Sequence, residues 1–291
     1  MKVRLSTNFF EDVKSILTTE NCNKILLETA STTVDRLQSM KNAFEGFEIS
    51  LEPILSQKLT ELRQIKSAGE IEKIKKAQEI TDAAFSHILN FIKVGKTEKE
   101  ISLELEFFMR KNGSEGVAFD TIAVSGKNSS LPHGVPTDKP LAHGDFLTMD
   151  FGAVYSGYCS DMTRTVAIGH VSDEQEKIYN IVLKAQTEAL KTIAPSVACK
   201  DVDKVARDII SDAGFTDNFG HGLGHSVGLE IHESPACNTR DLTPLKAGML
   251  MTVEPGIYLP NKFGVRIEDL IVVIDNGYQN LTKSPKNLII L

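Results

Sequence analysis

The stretch TMDFGAVYSGYCSDMTRT, residues 148–165, contains two acidic residues inside a predicted β-hairpin. Its two strands flank a turn, YSGY, at residues 155–158. Aspartate is depleted in strands and is costly to bury without a partner. Antiparallel pairing would bring Asp150 and Asp161 near each other, and two carboxylates at that distance repel unless a proton or a cation lies between them.

A second predicted hairpin, nearer the C-terminus, repeats this arrangement. Its strands, 249–258 and 265–274, contain Glu254 and Glu268. A single acid of this kind is most often a structural acid paired with an arginine, and Arg266 stands two residues before Glu268. Four acids in corresponding places on four strands indicate a shared site instead.

Two amphipathic helices precede each hairpin, as capping-box pairs and apolar residues at helical spacing indicate. The predicted helices run from Ser67 to Gly95, from Thr97 to Gly113, from Ser172 to Pro195 and from Val202 to Gly214. The order long helix, short helix, hairpin therefore occurs twice. We predict an α+β fold with two duplicated halves about a pseudo-twofold axis, whose hairpins face each other across a central cleft.

Composition and charge exclude several classes of protein. The chain has 291 residues, 41% of them hydrophobic and 24% charged, which is typical of a folded globular protein. Lys and Arg number 32 against 39 Asp and Glu, so the net charge of −7 argues against a nucleic-acid-binding protein. No apolar run has the length of a signal peptide or a membrane span, which predicts no membrane partner. The four cysteines form no C-x-x-C pair, and a reducing cytoplasm fits them best.

Histidines supply a further type of metal ligand. His221, His225 and His232 fall within twelve residues of a glycine-rich segment, where the backbone can approach a ligand closely. His133 lies in a similar loop, LPHGVP. Four carboxylates and one imidazole form an oxygen-rich set that suits manganese or a related divalent ion better than a closed thiolate zinc site. Their combined charge balances two divalent cations, which indicates metal-assisted hydrolysis.

These motifs resemble the Xaa-Pro aminopeptidase and prolidase branch of the pita-bread metallopeptidases. The resemblance covers residues 65–288 and rests on five segments in the same order as in that family. They are PHGVP at 132–136, the hairpin MDFG…SDMTRT from 149 to 165, GHGLGH…HE from 220 to 233, VEPG at 253–256 and GVRIED at 264–269. It implies a pita-bread catalytic domain over residues 66–291.

The resemblance also implies a role for each matching residue. Asp150 would bind one metal ion, His225 and Glu254 the other, and Asp161 and Glu268 both. The metals would be two divalent ions, manganese first, with cobalt, zinc or iron as alternatives. The remaining predicted site residues are Glu254 as general base, His133 and His232 as catalytic and substrate-binding residues, and Arg266 near the substrate or behind a carboxylate ligand. His221, as a catalytic residue, and Tyr258, as a substrate-binding residue, would line the pocket or assist proton transfer.

The predicted activity is that of an Xaa-Pro aminopeptidase, which cleaves the bond before a proline at the second position of a peptide. Two alternatives stay open: a strict Xaa-Pro dipeptidase (prolidase), and a non-catalytic binding protein on the same fold. The family also implies a homodimer. Residues 1–65 are predicted to form a shortened N-terminal α/β domain and linker, with strands at 24–28 and 47–51 and helices at 33–44 and 55–63.

Overall fold

The computed structural model describes residue 3 and residues 5–291, and it divides into two compact units, Met1–Leu62 and Arg63–Leu291. The first unit contains α1 (Phe9–Thr19), β1 (Lys24–Leu26), α2 (Val34–Ala43), β2 (Glu48–Ser50) and the start of α3 (Ile54–Gln64). β1 and β2 pair in parallel. The assignment of 1–65 and 66–291 as domains stays a prediction, and α1 is a helix that the sequence analysis did not predict.

The second unit repeats one order of elements. Its first half contains α4 (Ala68–Phe91), α5 (Glu98–Lys111), β3 (Ile122–Ser125), β4 (Phe146–Phe151), β5 (Val154–Tyr155), β6 (Tyr158–Cys159) and β7 (Met162–Ala167). Its second half contains α6 (Asp173–Thr192), α7 (Cys199–Asp212), β8 (Gly224–Ser226), β9 (Glu233–Cys237), β10 (Leu250–Val253), β11 (Gly256–Leu259), β12 (Phe263–Arg266), β13 (Asp269–Ile274) and β14 (Gly277–Asn280). This order confirms the predicted duplication of two helices and a hairpin.

Backbone hydrogen bonds show that the two halves are built alike. Leu141 N–H donates to Lys96 O just before α5, and Leu245 N–H donates to Val197 O just before α7, both at 2.8 Å. The capping boxes predicted for α4, α5 and α6 are all present. In each of them a Glu or Gln side chain accepts from the cap residue's own N–H, which satisfies a backbone donor that the helix leaves unpaired.

Each predicted hairpin is interrupted close to its acids. β4 pairs with β7 and β5 with β6, but Gly152 and Ala153 stand between the two ladders on one side, and Ser160 and Asp161 on the other. A Cβ at Gly152 would overlap the carbonyl oxygen of Ser160, so the close approach of the two chain segments at this point requires glycine. β10 with β13 and β11 with β12 repeat the interruption. The sequence predicts continuous strands over 145–154, 159–168, 249–258 and 265–274, and the structure divides each of them in two.

The two hairpins lie side by side in the second unit. Glu268 N–H donates to Thr163 O at 3.1 Å, and the Thr165 hydroxyl donates to Arg266 O at 3.0 Å. Apolar residues of α4 and α5 pack against β4 and β7, while those of α6 and α7 pack against β10 and β13. The helices thus support the hairpins from behind and leave the acidic interruptions facing each other. Among the described residues, no helix is long and apolar enough to cross a membrane.

Candidate metal centre and active site

Three acids from the two hairpins meet at one point. Asp150 is the second-last residue of β4, Asp161 precedes β7, and Glu268 lies between β12 and β13. One carboxylate oxygen from each lies within 4.8 Å of the others. The register places Asp150 opposite Thr163, so Asp161 falls in the interruption, where its side chain is free of the strand's alternation. The antiparallel pairing inferred from the sequence therefore brings Asp150 and Asp161 together.

His225 and Glu254 join this cluster from the second half. His225 Nε2 lies 3.4 Å from a carboxylate oxygen of Glu254 and 3.6 Å from one of Asp161. His225 Nδ1 lies 3.1 Å from Ser226 O, and because a carbonyl only accepts, Nδ1 carries the ring proton. The lone pair of Nε2 therefore faces the carboxylates. All five predicted metal ligands lie in this one cluster.

The electrostatics of the cluster fit a cationic ligand. Burial and the neighbouring charges of Glu268, Asp150 and Glu254 raise the pKa of Asp161 well above its usual range. Burial, Glu254 and Asp150 do the same to the pKa of Glu268, and burial raises the pKa of Glu254 to about 7. The four side chains therefore hold more negative charge than this buried site can stabilise by itself.

Unpartnered oxygens point to the same conclusion. Within the described part of the chain, Asp150 Oδ1 and Glu268 Oε1 are buried and accept no hydrogen bond. Buried oxygens without partners are rare because they lose hydration without compensation. Hard oxygen donors with one imidazole are a ligand set for divalent ions such as manganese. The residues present therefore fit a divalent-metal centre.

Arg266 is the cation that contacts this cluster directly. Its side chain is 3% exposed, and Nη2 donates to Asp150 Oδ2 at 2.6 Å. Nη1 donates to the hydroxyl oxygen of Tyr258 at 2.8 Å and to Pro132 O at 3.1 Å, and Nε donates to the Thr163 hydroxyl oxygen at 3.0 Å. The Thr163 hydroxyl in turn donates to Glu268 at 2.7 Å. Arg266 thus orients one predicted ligand directly and a second through Thr163.

His221 and Tyr258 form a neutral pair behind Arg266. His221 Nδ1 donates to Gly222 O at 2.8 Å, so Nε2 accepts the Tyr258 hydroxyl proton at 2.9 Å. Burial and the charge of Arg266 lower the pKa of His221 to about 4, and burial raises the pKa of Tyr258 to about 12. Both groups are therefore uncharged at neutral pH, and the hydrogen bond to His221 leaves the Tyr258 oxygen free to accept from Arg266.

A cavity of about 920 Å³ opens onto the cluster. Four of the five predicted metal ligands border it: Asp150, Asp161, His225 and Glu254. His221 and Arg266 border it as well. His133 and His232 also line it and are exposed, and the His232 ring lies 4.4 Å from the His225 ring. Tyr258 and Glu268 are buried and are not among the lining residues, and the role of Tyr258 stays a prediction.

Arg240 is a cavity residue that the sequence analysis did not identify. It is exposed and lines the cavity, and among the described residues its guanidinium has no hydrogen-bond or ion-pair partner. Two further arginines line the cavity: Arg266 contacts the acidic cluster, and Arg207 pairs with Asp203 and donates to the carbonyl oxygens of Phe219 and His221. Arg240 follows the histidine-rich segment at no recognisable spacing, so nothing in the sequence marked it.

The fold and the site fit a metal-dependent hydrolase, and the comparisons with known proteins give its family. The profile of Metallopeptidase family M24 matches residues 72–275. A solved structure described as an Xaa-Pro dipeptidase from Bacillus anthracis is 45% identical, with a TM-score of 0.95, over 99% of this chain and 80% of that one. The X-Pro aminopeptidase structure from Thermotoga maritima MSB8 is 42% identical, with a TM-score of 0.93, over 100% of this chain and 81% of that one.

The Xaa-Pro dipeptidase of Pyrococcus furiosus is 47% identical over 231 residues, which are 79% of this chain and 66% of that protein. The chain belongs to metallopeptidase family M24 and has the pita-bread fold. This confirms the predicted resemblance and fold class. Members of the family bind two divalent metal ions, and this chain has an acidic cluster of Asp150, Asp161 and Glu268.

Metal removal is expected to destabilise the protein most at alkaline pH. Carboxyl groups whose pKa is raised by folding stabilise the fold below their unfolded pKa of about 4 and lose that contribution as the pH rises through the folded value. For Glu254 this value is about 7, and Asp161 and Glu268 shift in the same direction. The melting temperature of chelator-treated protein should therefore fall from about pH 5 to about pH 8 relative to protein loaded with manganese.

Differential scanning calorimetry of both forms across this range measures the effect. Bound cations neutralise the carboxylates, so the loaded form supplies the reference for all other pH-dependent contributions. A difference in melting temperature that stays constant or shrinks toward alkaline pH would contradict this account of the cluster.

Proposed function

We propose that the chain is a metal-dependent Xaa-Pro dipeptidase, which hydrolyses the bond between an N-terminal residue and a C-terminal proline. The observation that carries the proposal is the unpaired Arg240 on the cavity wall, because a dipeptidase must recognise the free carboxylate of its substrate. The names of two relatives support it, since the matched Bacillus anthracis and Pyrococcus furiosus proteins are both described as Xaa-Pro dipeptidases.

In this proposal Asp150, Asp161, His225, Glu254 and Glu268 would together hold two divalent cations, with Asp150 serving one ion, His225 and Glu254 the other, and Asp161 and Glu268 both. The two cations would make a water molecule acidic enough to attack at neutral pH and would polarise the carbonyl of the scissile bond. Glu254 would accept the proton of that water as general base. Manganese is the proposed metal.

His133 and His232 act from the cavity side. Their exposed imidazoles contact the substrate and donate hydrogen bonds to the oxygen that gains negative charge as the bond is attacked. Deeper in the site, His221 holds the Tyr258 hydroxyl and assists proton transfer, while Arg266 keeps Asp150 in place. A homodimer and a cytoplasmic location remain part of the proposal, and sedimentation analysis and cell fractionation test them.

The aminopeptidase that the sequence analysis favoured is the second candidate. The observation in its favour is the likeness to the Thermotoga maritima structure, which is described as an X-Pro aminopeptidase. Two substrates separate the candidates: a dipeptidase cleaves Ala-Pro and leaves Ala-Pro-Ala intact, whereas an aminopeptidase cleaves both. Preference for the tripeptide would overturn the proposed dipeptidase activity.

Replacing Arg240 with Gln is expected to lower kcat/KM for Ala-Pro about 10- to 100-fold, because a charge-assisted hydrogen bond to the substrate is worth about 1.5–3 kcal/mol. Turnover of Ala-Pro-amide, which lacks the carboxylate, should change little. Lys200→Gln is the matched control, since Lys200 is exposed and does not line the cavity. Equal losses on the acid and the amide would show that Arg240 does not recognise the carboxylate.

A further inference from the structure

The loop at residues 125–137 carries His133 to the cavity and is called the Pro-His-Gly loop here. A side chain outside the cavity, Glu98 at the start of α5, lies beneath this loop and is 0% exposed. Among the described residues, no lysine, arginine or histidine lies within ion-pair distance of its carboxylate. A buried carboxylate without a cation is costly unless hydrogen bonds satisfy both of its oxygens.

Hydrogen bonds from both ends of the loop satisfy Glu98. Oε1 accepts from the Ser125 N–H at 2.7 Å and from the Ser125 hydroxyl at 2.9 Å. Oε2 accepts from the Thr137 N–H at 3.0 Å and from the Thr137 hydroxyl at 2.6 Å. The Asn128 amide donates to both oxygens at 3.1 Å. One carboxylate therefore binds the two ends of the Pro-His-Gly loop and also Asn128 within it.

The middle of the loop is attached to β12. Gly264 N–H donates to the Ser129 hydroxyl oxygen at 2.9 Å, and Arg266 donates to Pro132 O at 3.1 Å. A Cβ at Gly264 would overlap the Ser129 carbonyl oxygen, so the strand and the loop are in close contact. With its ends held by one side chain and its centre held by β12, the loop presents the exposed imidazole of His133 in a fixed place.

The second half of the fold holds its histidine loop in a similar way. Asp203 in α7 is 1% exposed, accepts the Leu223 N–H at 3.0 Å and pairs with Arg207. Arg207 in turn donates to Phe219 O at 3.0 Å and to His221 O at 2.8 Å. In both halves, a buried acid on the second helix thus fixes the backbone on either side of a cavity histidine.

We propose that Glu98 is a positioning residue for Xaa-Pro hydrolysis, which acts by holding the Pro-His-Gly loop so that His133 meets the substrate. This inference rests on the proposed function. Replacing Glu98 with Gln puts an amide NH₂ opposite N–H and O–H donors, so one end of the loop loses its acceptor. Because a displacement of about 1 Å can cost about 100-fold in rate, we expect kcat/KM to fall about 10- to 100-fold.

A double-mutant cycle tests whether Glu98 acts through His133. The kcat/KM values for Ala-Pro are measured for Glu98→Gln, for His133→Ala and for the double variant, each loaded with manganese. If Glu98 serves to place His133, the His133→Ala loss should nearly vanish in the Glu98→Gln background. Losses that multiply would mean that Glu98 affects the enzyme by another route, and they would overturn the inference.

Glu106→Gln, on the partly exposed surface of the same helix, is the matched control and should leave kcat/KM unchanged. Hydrogen exchange gives a readout besides activity: Glu98→Gln should lower protection of the Ser125 and Thr137 amides, while α4 stays protected. Unchanged exchange there would also overturn the inference. If Glu98→Gln does not fold, the cycle is run with Thr137→Ala, which removes one hydroxyl donor to the same carboxylate.

These results separate the inference from the function on which it rests. A wild-type protein that binds manganese and does not cleave Ala-Pro would overturn both. A wild-type protein that cleaves Ala-Pro, with independent losses for the two substitutions, would overturn the role of Glu98 alone.

Discussion

Replacing Glu268 with Gln is expected to lower kcat/KM about 1,000-fold and yet to stabilise the protein in the absence of metal. The loss of activity follows from the proposed role of Glu268 as a ligand of both cations, because metal ions supply several kcal/mol of transition-state stabilisation and about 4 kcal/mol corresponds to about three powers of ten. The gain in stability follows because Glu268 is 1% exposed with a raised pKa, and an amide can donate to the neighbouring carboxylates without bearing a charge.

Calorimetry of the chelator-treated variant measures the second effect, which should amount to about 1 kcal/mol, or about 2–4 °C in melting temperature. Asp269→Asn is the matched control on the adjacent residue. Burial opposes ionisation of Asp269, but Arg164 and Lys286 outweigh it and lower its pKa. That substitution should therefore destabilise the protein with or without metal. A metal-free Glu268→Gln variant that melts below the metal-free wild type would contradict this account. It would show that the negative charge of Glu268 does not destabilise the metal-free protein.

The second large effect is expected at Arg266. Replacing it with Met should lower the free energy of unfolding by about 3–5 kcal/mol, because it leaves a buried carboxylate uncompensated. Asp150, Tyr258 and Pro132 would each lose a donor that now lies 2.6–3.1 Å away. Urea unfolding of metal-free protein measures this loss without interference from bound cations.

Arg266→Lys tests whether charge or geometry carries the effect. Lysine keeps the positive charge but cannot reproduce the planar set of donors that reaches Asp150, Tyr258 and Thr163 together. We therefore expect an intermediate loss of stability and a fall of about 100-fold in kcat/KM from misplacement of the Asp150 carboxylate. A methionine variant within about 1 kcal/mol of the wild type would show that Arg266 does not stabilise the cluster.

The duplicated fold could be predicted because local signals recur at the same places in both halves. The capping boxes and apolar spacings that predicted the helices are satisfied inside single segments, so they need no tertiary information. The sequence contains a second signal of duplication. Pro140-Leu141 and Pro244-Leu245 are each followed three residues later by glycine, and they form equivalent bridges to Thr97 and Ala198.

The acids of the site could be found because they are exceptions to strand composition. The interruptions that expose them could not be found, since they depend on contacts such as Gly152 against Ser160 that arise only when the hairpin closes. Arg240 and Glu98 were missed for a related reason. Neither residue belongs to a motif, and the importance of each comes from its surroundings in space. Arg240 lines a cavity and has no partner among the described residues, and Glu98 binds both ends of one loop.

Release of proline from Ala-Pro by the purified chain tests the central claim most directly. The protein is stripped with chelator, divided, and assayed without metal and after addition of manganese, cobalt or zinc, with bound metal measured by elemental analysis. We predict no proline release without metal and multiple turnovers after about two manganese ions per chain have bound. Binding of the metal with no hydrolysis of Ala-Pro or Ala-Pro-Ala would contradict the claim and would favour a non-catalytic binding protein on this fold.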